Sequence, residues 1–281
     1  MYDMLFNSID ELVEGEILKI SQAIITTDRH TGIESKAADN ILKSYISDNN
    51  KEIRYIVDLG DGIDNPFMSD FPVDPRFVKN AQDEFDLYAQ HWKELNYLVP
   101  RAKKILIPGN HDKARLDKAK NMKRGLACLR NLQYESILKE AIRNQGVKLT
   151  NFVFANQNYQ IQFTKSNLDT FAHGDPRLDP NVKCGITGPR RTAMEYPVQG
   201  NIYIGHGHQH IEFPRRQPGK HLVMIAGMFD IEQMKKMYVS WHPYTNGFGV
   251  IKYNKKKDFY NFQYVPIVDN KAIIDGKLYQ G

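Results

Sequence analysis

Short apolar runs alternate with longer amphipathic stretches along the first part of the chain. Ala23 to Thr26, Tyr55 to Leu59 and Lys104 to Ile107 are apolar or β-prone and stop at polar or glycine-bearing turns. Runs of that length between turn residues predict buried strands. Between them, Ala38, Ile41, Leu42, Tyr45 and Ile46 recur at helical spacing within Ala37 to Ser47, and Phe77 to Leu98 carries a second helical pattern closed by Pro100. Strand, helix, strand, helix, strand predicts βαβ units and parallel strands. Residues 8 to 20 predict a short helix capped by Asn7 or Ser8, with Asp10, Glu11 and Glu14 suited to its first turn.

A basic, helical region follows from about Ala114 to Asn144. Then the pattern changes. Phe152 to Phe154, Tyr159 to Phe163, Asp169 to Ala172, Asn201 to Ile204, Leu222 to Ala226, Gly247 to Tyr253 and Phe259 to Val265 all read as short strands joined by loops. The expected class is α/β with a β-rich second half. No linker or internal repeat divides it, so one domain is expected over residues 1–281, its motif-bearing core at about 21–253.

Composition narrows the classes. The chain is 41% hydrophobic and 25% charged, a soluble globular balance. No apolar run is long enough to span a bilayer. Asp3, Asp10, Glu11 and Glu14 precede the first lysine, the wrong pattern for a secretory signal. Cys128 and Cys184 lack a partner motif, so no disulfide framework is expected and the location expected is cytoplasmic. The formal net charge of +5 is mild. It permits nucleic acid as a partner without demanding it. Lys113, Arg115, Lys118, Lys120, Lys123 and Arg124 crowd one stretch that reads either as a solvated helix face or as a phosphate-backbone contact. Smaller basic clusters sit at Arg190-Arg191, Arg215-Arg216 and Lys255 to Lys257.

Four segments carry chemistry: Asp28-Arg29-His30, Gly60-Asp61-Gly62-Ile63-Asp64-Asn65, Gly109-Asn110-His111-Asp112 and Gly205-His206-Gly207-His208. Each follows an expected strand and offers carboxylate, amide or imidazole ligands, the donor set that hard and borderline divalent cations take. Asp28 and His30 are two apart, and so are His206 and His208; in an extended segment such residues share one face. Glycines before Asp61 and Asn110 allow sharp turns. A lone Asp-x-His carries little weight, but all four segments in this order, each after an apolar strand, are specific.

The segments resemble the motifs of the calcineurin-like metallophosphoesterase family, most closely its small stand-alone phage and bacterial members, over residues 23 to 210. The family's isolated histidine between the third and last motifs matches His173 in Thr170-Phe-Ala-His-Gly-Asp. The resemblance implies a β-sandwich of two mixed sheets flanked by helices, with the site at strand ends. It implies one metal on Asp28, His30 and His208, a second on Asn110, His173 and His206, and Asp61 bridging. His111 would serve as a proton donor to the leaving group and Asp64 would orient it. Asn110 would also contact substrate. A second frame, Gly207-His208-Gln209-His210, fits the last motif as well. The first frame is preferred because it follows the strand Ile202 to Ile204 directly, leaving His210 beside the site as a substrate contact or an exposed residue.

The expected function is dinuclear-metal-dependent hydrolysis of phosphate mono- or diesters by a metal-activated hydroxide. Two divalent ions roughly 3.5–4 Å apart, Mn, Fe or Zn, are the expected cofactors, Mn being the one expected to support activity in vitro. Imidazole titrates near neutrality, which suits His111 to proton donation. Asp58 is expected to be structural, and Asp112 and Asp175 to stabilise loops or hold histidine tautomers. Met224, Met228, Met234 and Met237 are expected to pack rather than ligate, and Trp241, His242 and Tyr244 to form a loop. The expected partner is a phosphate-ester substrate, nucleic acid included, and no membrane. One alternative is a DNA nuclease of the SbcD-like branch, suggested by Gly32 two residues after His30 and by the basic stretch after His111. The Ser/Thr phosphatase branch is disfavoured because Asn65 stands where it has arginine. An alternative of another class is an inactive phosphoesterase-fold binding protein, which should have lost ligands that this chain keeps.

Overall fold

Neighbouring residues of the first strand face different cores. Ala23 and Ile25 point one way, into a cluster with Val57, Ile105, Phe171, Tyr203 and Val223. Ile24 points the other way, to Ile41, Tyr45, Trp92 and Leu138. That period-two division is what makes the strand central to a layered fold. The computed structural model describes residues 19–69, 80–122, 130–156, 158–174, 193, 198–238 and 243–281. The helix expected over 8 to 20 lies almost wholly outside these, as do Lys123, Arg124, Cys128, Asp175, Cys184, Arg190, Arg191, Trp241 and His242.

Along the chain run β1 (Ser21–Thr26), α1 (Lys36–Asp48), β2 (Ile53–Asp58), α2 (Ala81–Leu98), β3 (Lys103–Leu106), α3 (Arg115–Asn121), α4 (Tyr134–Asn144) and β4 (Phe152–Phe154). Then come β5 (Asn158–Gln162), β6 (Leu168–His173), β7 (Ile202–Gly205), β8 (Ile211–Pro214), β9 (His221–Met224), α5 (Ile231–Tyr238), β10 (Asn246–Asn254), β11 (Phe259–Ile267), β12 (Lys271–Ile274) and β13 (Lys277–Gln280).

The first sheet has the order β11-β10-β1-β2-β3-β4. β1 to β4 are parallel, while β10 pairs antiparallel with both β1 and β11. The second sheet has the order β5-β6-β7-β9-β8, with β6, β7 and β9 parallel and the two edge strands antiparallel. Inward side chains of both sheets meet in one apolar layer. α1, α2 and α4 cover the outer face of the first sheet. The protein is therefore an α/β sandwich of two mixed sheets with helices, the expected class. No described helix is long and apolar enough to cross a membrane.

Helix starts follow capping chemistry. Ser35 Oγ accepts from Ala38 N at 3.2 Å and Asn80 Oδ1 from Asp83 N at 2.9 Å. The basic region expected to be helical is broken: a π-helical turn over Asn110–Ala114, then α3, a 3-10 turn over Arg130–Leu132 and α4. Three strands, β8, β12 and β13, are not among the expected elements. β12 and β13 form a separate hairpin whose Ala272, Ile274 and Tyr279 are buried in the core under α1.

Candidate metal centre

The C-terminal ends of the parallel strands build the site, where open α/β sheets place their crevices. β1 leads to Asp28 and His30, β2 to Asp61 and Asp64, and β3 to Asn110 and His111. β6 ends on His173, whose Cα pairs with Gly205 of β7, and β7 leads to His206 and His208.

The connecting loops hold one another through their backbones. Asp28 N donates to Gly60 O at 2.8 Å, His30 N to Asp61 O at 2.9 Å and Thr31 N to Gly62 O at 3.0 Å. Gly60 (φ +106°) takes a left-handed turn with its α-carbon facing the backbone of Gly109; a Cβ there would lie 2.5 Å from Gly109 N. Gly109 in turn abuts Asp61, and a Cβ on it would lie 2.0 Å from Asp61 Oδ1.

Asp28, His30, Asp61, His206 and His208 are non-glycine residues with φ between 47° and 77°. The left-handed region is uncommon for such residues and stores strain. It also corrects one expectation. Asp28 and His30 converge through left-handed turns and not by sharing a face of an extended segment. His206 and His208 diverge to different groups.

One group holds Asp28, His30, Asp61 and His208, and another Asp61, His173 and His206; within each, the candidate ligand atoms lie within 4.8 Å of one another. Asp61 belongs to both. Asn110 joins the second group, its Oδ1 2.9 Å from His173 Nε2. A third group, His30, Asp64 and His111, adjoins them.

The histidine tautomers follow from their partners. Asp64 Oδ1 accepts from Nδ1 of both His30 and His111, each at 2.8 Å. His173 Nδ1 donates to Leu59 O at 2.9 Å. With hydrogen on Nδ1, the Nε2 atoms face inward. His173 Nε2 lies 3.2 Å from Asp61 Oδ2 and His208 Nε2 3.1 Å from Asp28 Oδ1. His30 Nε2 and His208 Nε2 face each other at 3.3 Å. Neither Asp28 Oδ1 nor Asp61 Oδ2 makes a hydrogen bond of acceptable geometry, although both are buried. Imidazole nitrogens and carboxylate oxygens thus converge on shared points, an arrangement that a cation satisfies. The residues fit divalent metals by the chemistry of this donor set.

Electrostatics point the same way. Burial alone would raise Asp61 and Asp28, yet the histidines beside them hold both below the usual carboxylate range. Burial would lower His173, but the Asp61 carboxylate pushes it up to about 9. His206 is pushed down to about 4 by burial and by the charge of His173.

His111 sits at the rim. Burial lowers its proton affinity, Asp61 raises it and the guanidinium of Arg115 lowers it. In the sequence Arg115 is only one member of the basic stretch. In the fold it turns back onto the site: Nη1 donates to Asp64 O at 2.6 Å and Nη2 lies 3.2 Å from His111 Nε2. Its spacing, one helical turn after His111, is the available signal. Lys120 also turns inward, to Asp117 at 2.7 Å and Gln133 at 3.1 Å.

The supporting carboxylates have particular tasks. Asp58 accepts from Gly60 N and Tyr88 Oη, each at 2.9 Å, a structural role as expected. Asp112 accepts from the amides of Ile63 and Gly109, both at 2.9 Å, so it steadies two loops and holds no histidine tautomer. Glu84 of α2 is an addition that the motifs do not signal; its Oε2 accepts from the amides of Asp64 and Asn65 at 3.0 and 2.7 Å. Burial raises Asp58 and Glu84 to about 7 and Asp112 to about 6. His210 is not brought to the metal groups. Its ring lies flat on Tyr264, centroids 3.7 Å apart, and Nδ1 bonds Met224 O at 3.1 Å.

No family model matches the chain, and no curated protein matches it. Solved structures are similar to it at low identity and low TM-score. A Thermotoga maritima protein solved by NMR is 12% identical, with 87% of this chain and 98% of that one covered and a TM-score of 0.37. A purple acid phosphatase from yellow lupin (Lupinus luteus) seeds is 11% identical, covering 93% of this chain and 53% of its own, at 0.44. A Pseudomonas putida nuclease is 10% identical, covering 86% and 87%, at 0.31.

Proposed function

We propose that the chain is a dinuclear-metal phosphoesterase. The carrying observation is that Asp61 belongs to two adjoining ligand groups, with buried, unbonded carboxylate oxygens and inward imidazole nitrogens. Asp28, His30 and His208 would hold one ion, Asn110, His173 and His206 the other, and Asp61 both. When bound, two divalent cations supply Lewis-acid activation of water and of the phosphoryl group.

The chain's own residues supply the rest. Asp64 fixes His111 with hydrogen on Nδ1, leaving Nε2 as the atom that holds a proton for the leaving oxygen. Arg115 beside Nε2 disfavours that proton until substrate arrives. An anionic phosphate pairs with the guanidinium, and its charge favours the imidazolium. Asn110 and Arg115 then orient the ester. Buried Asp28, His30 and Asp61 form a floor that keeps bulk water from the far side.

The test is hydrolysis of p-nitrophenyl phosphate and bis-p-nitrophenyl phosphate with Mn, Fe or Zn added and metal content measured, alongside labelled single- and double-stranded DNA. Two bound metals with cleavage of either ester support the reading. Cleavage of DNA places the activity among nucleases. A metal-loaded protein that cleaves none of these is a binding protein on this fold.

A further inference from the structure

Past His208 the chain leaves the metal groups and enters the wall of a separate cavity of 440 Å³. His210, Tyr244, Tyr264, Pro266, Ile267 and Val268 give this wall its character. It adjoins the metal centre through Tyr244, whose ring lies 5.4 Å from that of His208. Thr245 N donates to His208 O at 3.1 Å, which ties the wall to the ligand loop.

The cavity has a built flat surface. The His210 and Tyr264 rings are parallel to within 3°. The imidazole is pinned by Met224 O and by Glu212 at 3.3 Å, and the phenol by donation to Asn246 O at 3.1 Å. Rings pinned at both ends lose little freedom when a third ring stacks on them. The charge pattern selects further. No lysine or arginine lines the cavity among the described residues, and Asp269 does. A second phosphate would find no lysine or arginine among these residues and would face the Asp269 carboxylate, whereas a neutral ring meets no such repulsion.

We propose that this cavity is the subsite for an aromatic ring carried by the phosphate ester, with the phosphate itself at the metal centre. The inference rests on the phosphoesterase reading and goes beyond it by naming the group next to the phosphate. A nucleoside and a simple aryl group share this chemistry.

The experiment uses the zinc-loaded full chain and three ligands: methyl phosphate, phenyl phosphate and thymidine monophosphate. At least one ring-bearing ligand should bind roughly tenfold more tightly than methyl phosphate, the scale of one stacking contact. Its ring protons should move upfield in the NMR spectrum. Tyr264→Leu should bring that preference back toward unity. Val268→Trp provides a second variant: Val268 is 63% exposed, so the fold tolerates the change, and the indole would fill the mouth of the cavity. Preference for phenyl phosphate alone identifies an aryl ester, and preference for thymidine monophosphate alone a nucleotide. Equal binding of all three overturns the subsite. Hydrolysis of methyl phosphate, phenyl phosphate and thymidine monophosphate, read as released phosphate, separates the two readings. Equal KM for all three removes the subsite and leaves the phosphoesterase standing, whereas no release from any of them and no cleavage of bis-p-nitrophenyl phosphate removes both.

Discussion

Asp28 Oδ1 and Asp61 Oδ2 are buried beside histidine ring nitrogens, and this sets the residue-scale behaviour. In the metal-free protein Asp61 pushes His173 up to about 9, so a proton occupies the place a metal would take. Below that pH, metal must displace the proton. Metal affinity should therefore fall as pH is lowered from 9 to 6, by up to about tenfold per unit for one displaced proton, with protons released on binding. Titration calorimetry in buffers of different ionisation enthalpy measures both; affinity that rises on acidification would contradict the assignment. His208→Ala should reduce metal stoichiometry and His210→Ala should not, since only His208 faces Asp28. The reverse would mean that the second frame of the last motif supplies the ligand. His111→Ala should retain both metals and lower turnover by roughly 10²–10⁴-fold, the usual contribution of a positioned proton donor. The residues of this centre are legible in the sequence because ligand chemistry dictates residue type. Glu84 and Tyr88 are not, because glutamate and tyrosine on helices are ordinary and only the fold aims them at the site, and Arg115 offers no more than its spacing from His111.

At the scale of elements, the site is a property of loops that follow parallel strands. Those strands are legible as short apolar runs. Their loops interlock so closely that Gly109→Ala would force a methyl group to 2.0 Å from Asp61 Oδ1. Asp61 is itself buried and fixed, so the clash resolves only by moving a ligand. Gly109→Ala should lose metal binding and destabilise the protein by about 1–3 kcal/mol, the range of an overpacked core. Metal content and thermal melting would show it; a variant with unaltered metal content would show that the loops can part without disturbing the ligands. The elements that the sequence pattern misses have a common cause. Ile211–Pro214 is a half-exposed edge strand that contains a proline, and Lys271–Ile274 and Lys277–Gln280 are short with few buried residues. Such segments carry too little apolar signal to be distinguished from loops. The π-helical turn that leads into Arg115 is not marked in the apolar pattern either, since it is held by Asp112 bonding back to Gly109 and across to Ile63.

For the whole molecule, the two sheets are joined by a polar tie as well as by the apolar layer. Asp169 of β6 accepts from Tyr260 Oη of β11 and from Asn201 N at 2.8 Å, and Tyr203 Oη lies 2.5 Å from Tyr260 Oη. Burial raises Asp169 from 3.8 to about 6, although these bonds oppose the rise. The folded state thus holds this proton more tightly than the unfolded chain. Its contribution to stability is fully present below 3.8 and is lost as pH rises through about 6. At roughly 1.4 kcal/mol per pH unit, the change is about 3 kcal/mol at most. Asp169→Asn removes it, so the variant's melting temperature should climb relative to wild type between pH 4 and pH 7. A constant offset across that range would refute the linkage. Bound metal should stabilise the whole molecule further: at a hundredfold excess over Kd, each site should contribute about 2.7 kcal/mol, and chelation should lower the melting temperature accordingly.

The left-handed turns at Asp28, His30, Asp61, His206 and His208 carry a trade-off between durability and chemistry. Glycine adopts that backbone readily, whereas aspartate and histidine do so at a cost of order 1 kcal/mol or more. Without metal, the centre is a frustrated patch held by the rest of the fold. A variant such as His208→Gly, at a position that is partly exposed, should be inert and yet melt higher than the metal-stripped parent. The resting protein would then be a compromise in which a tougher chain lies one substitution away and does nothing.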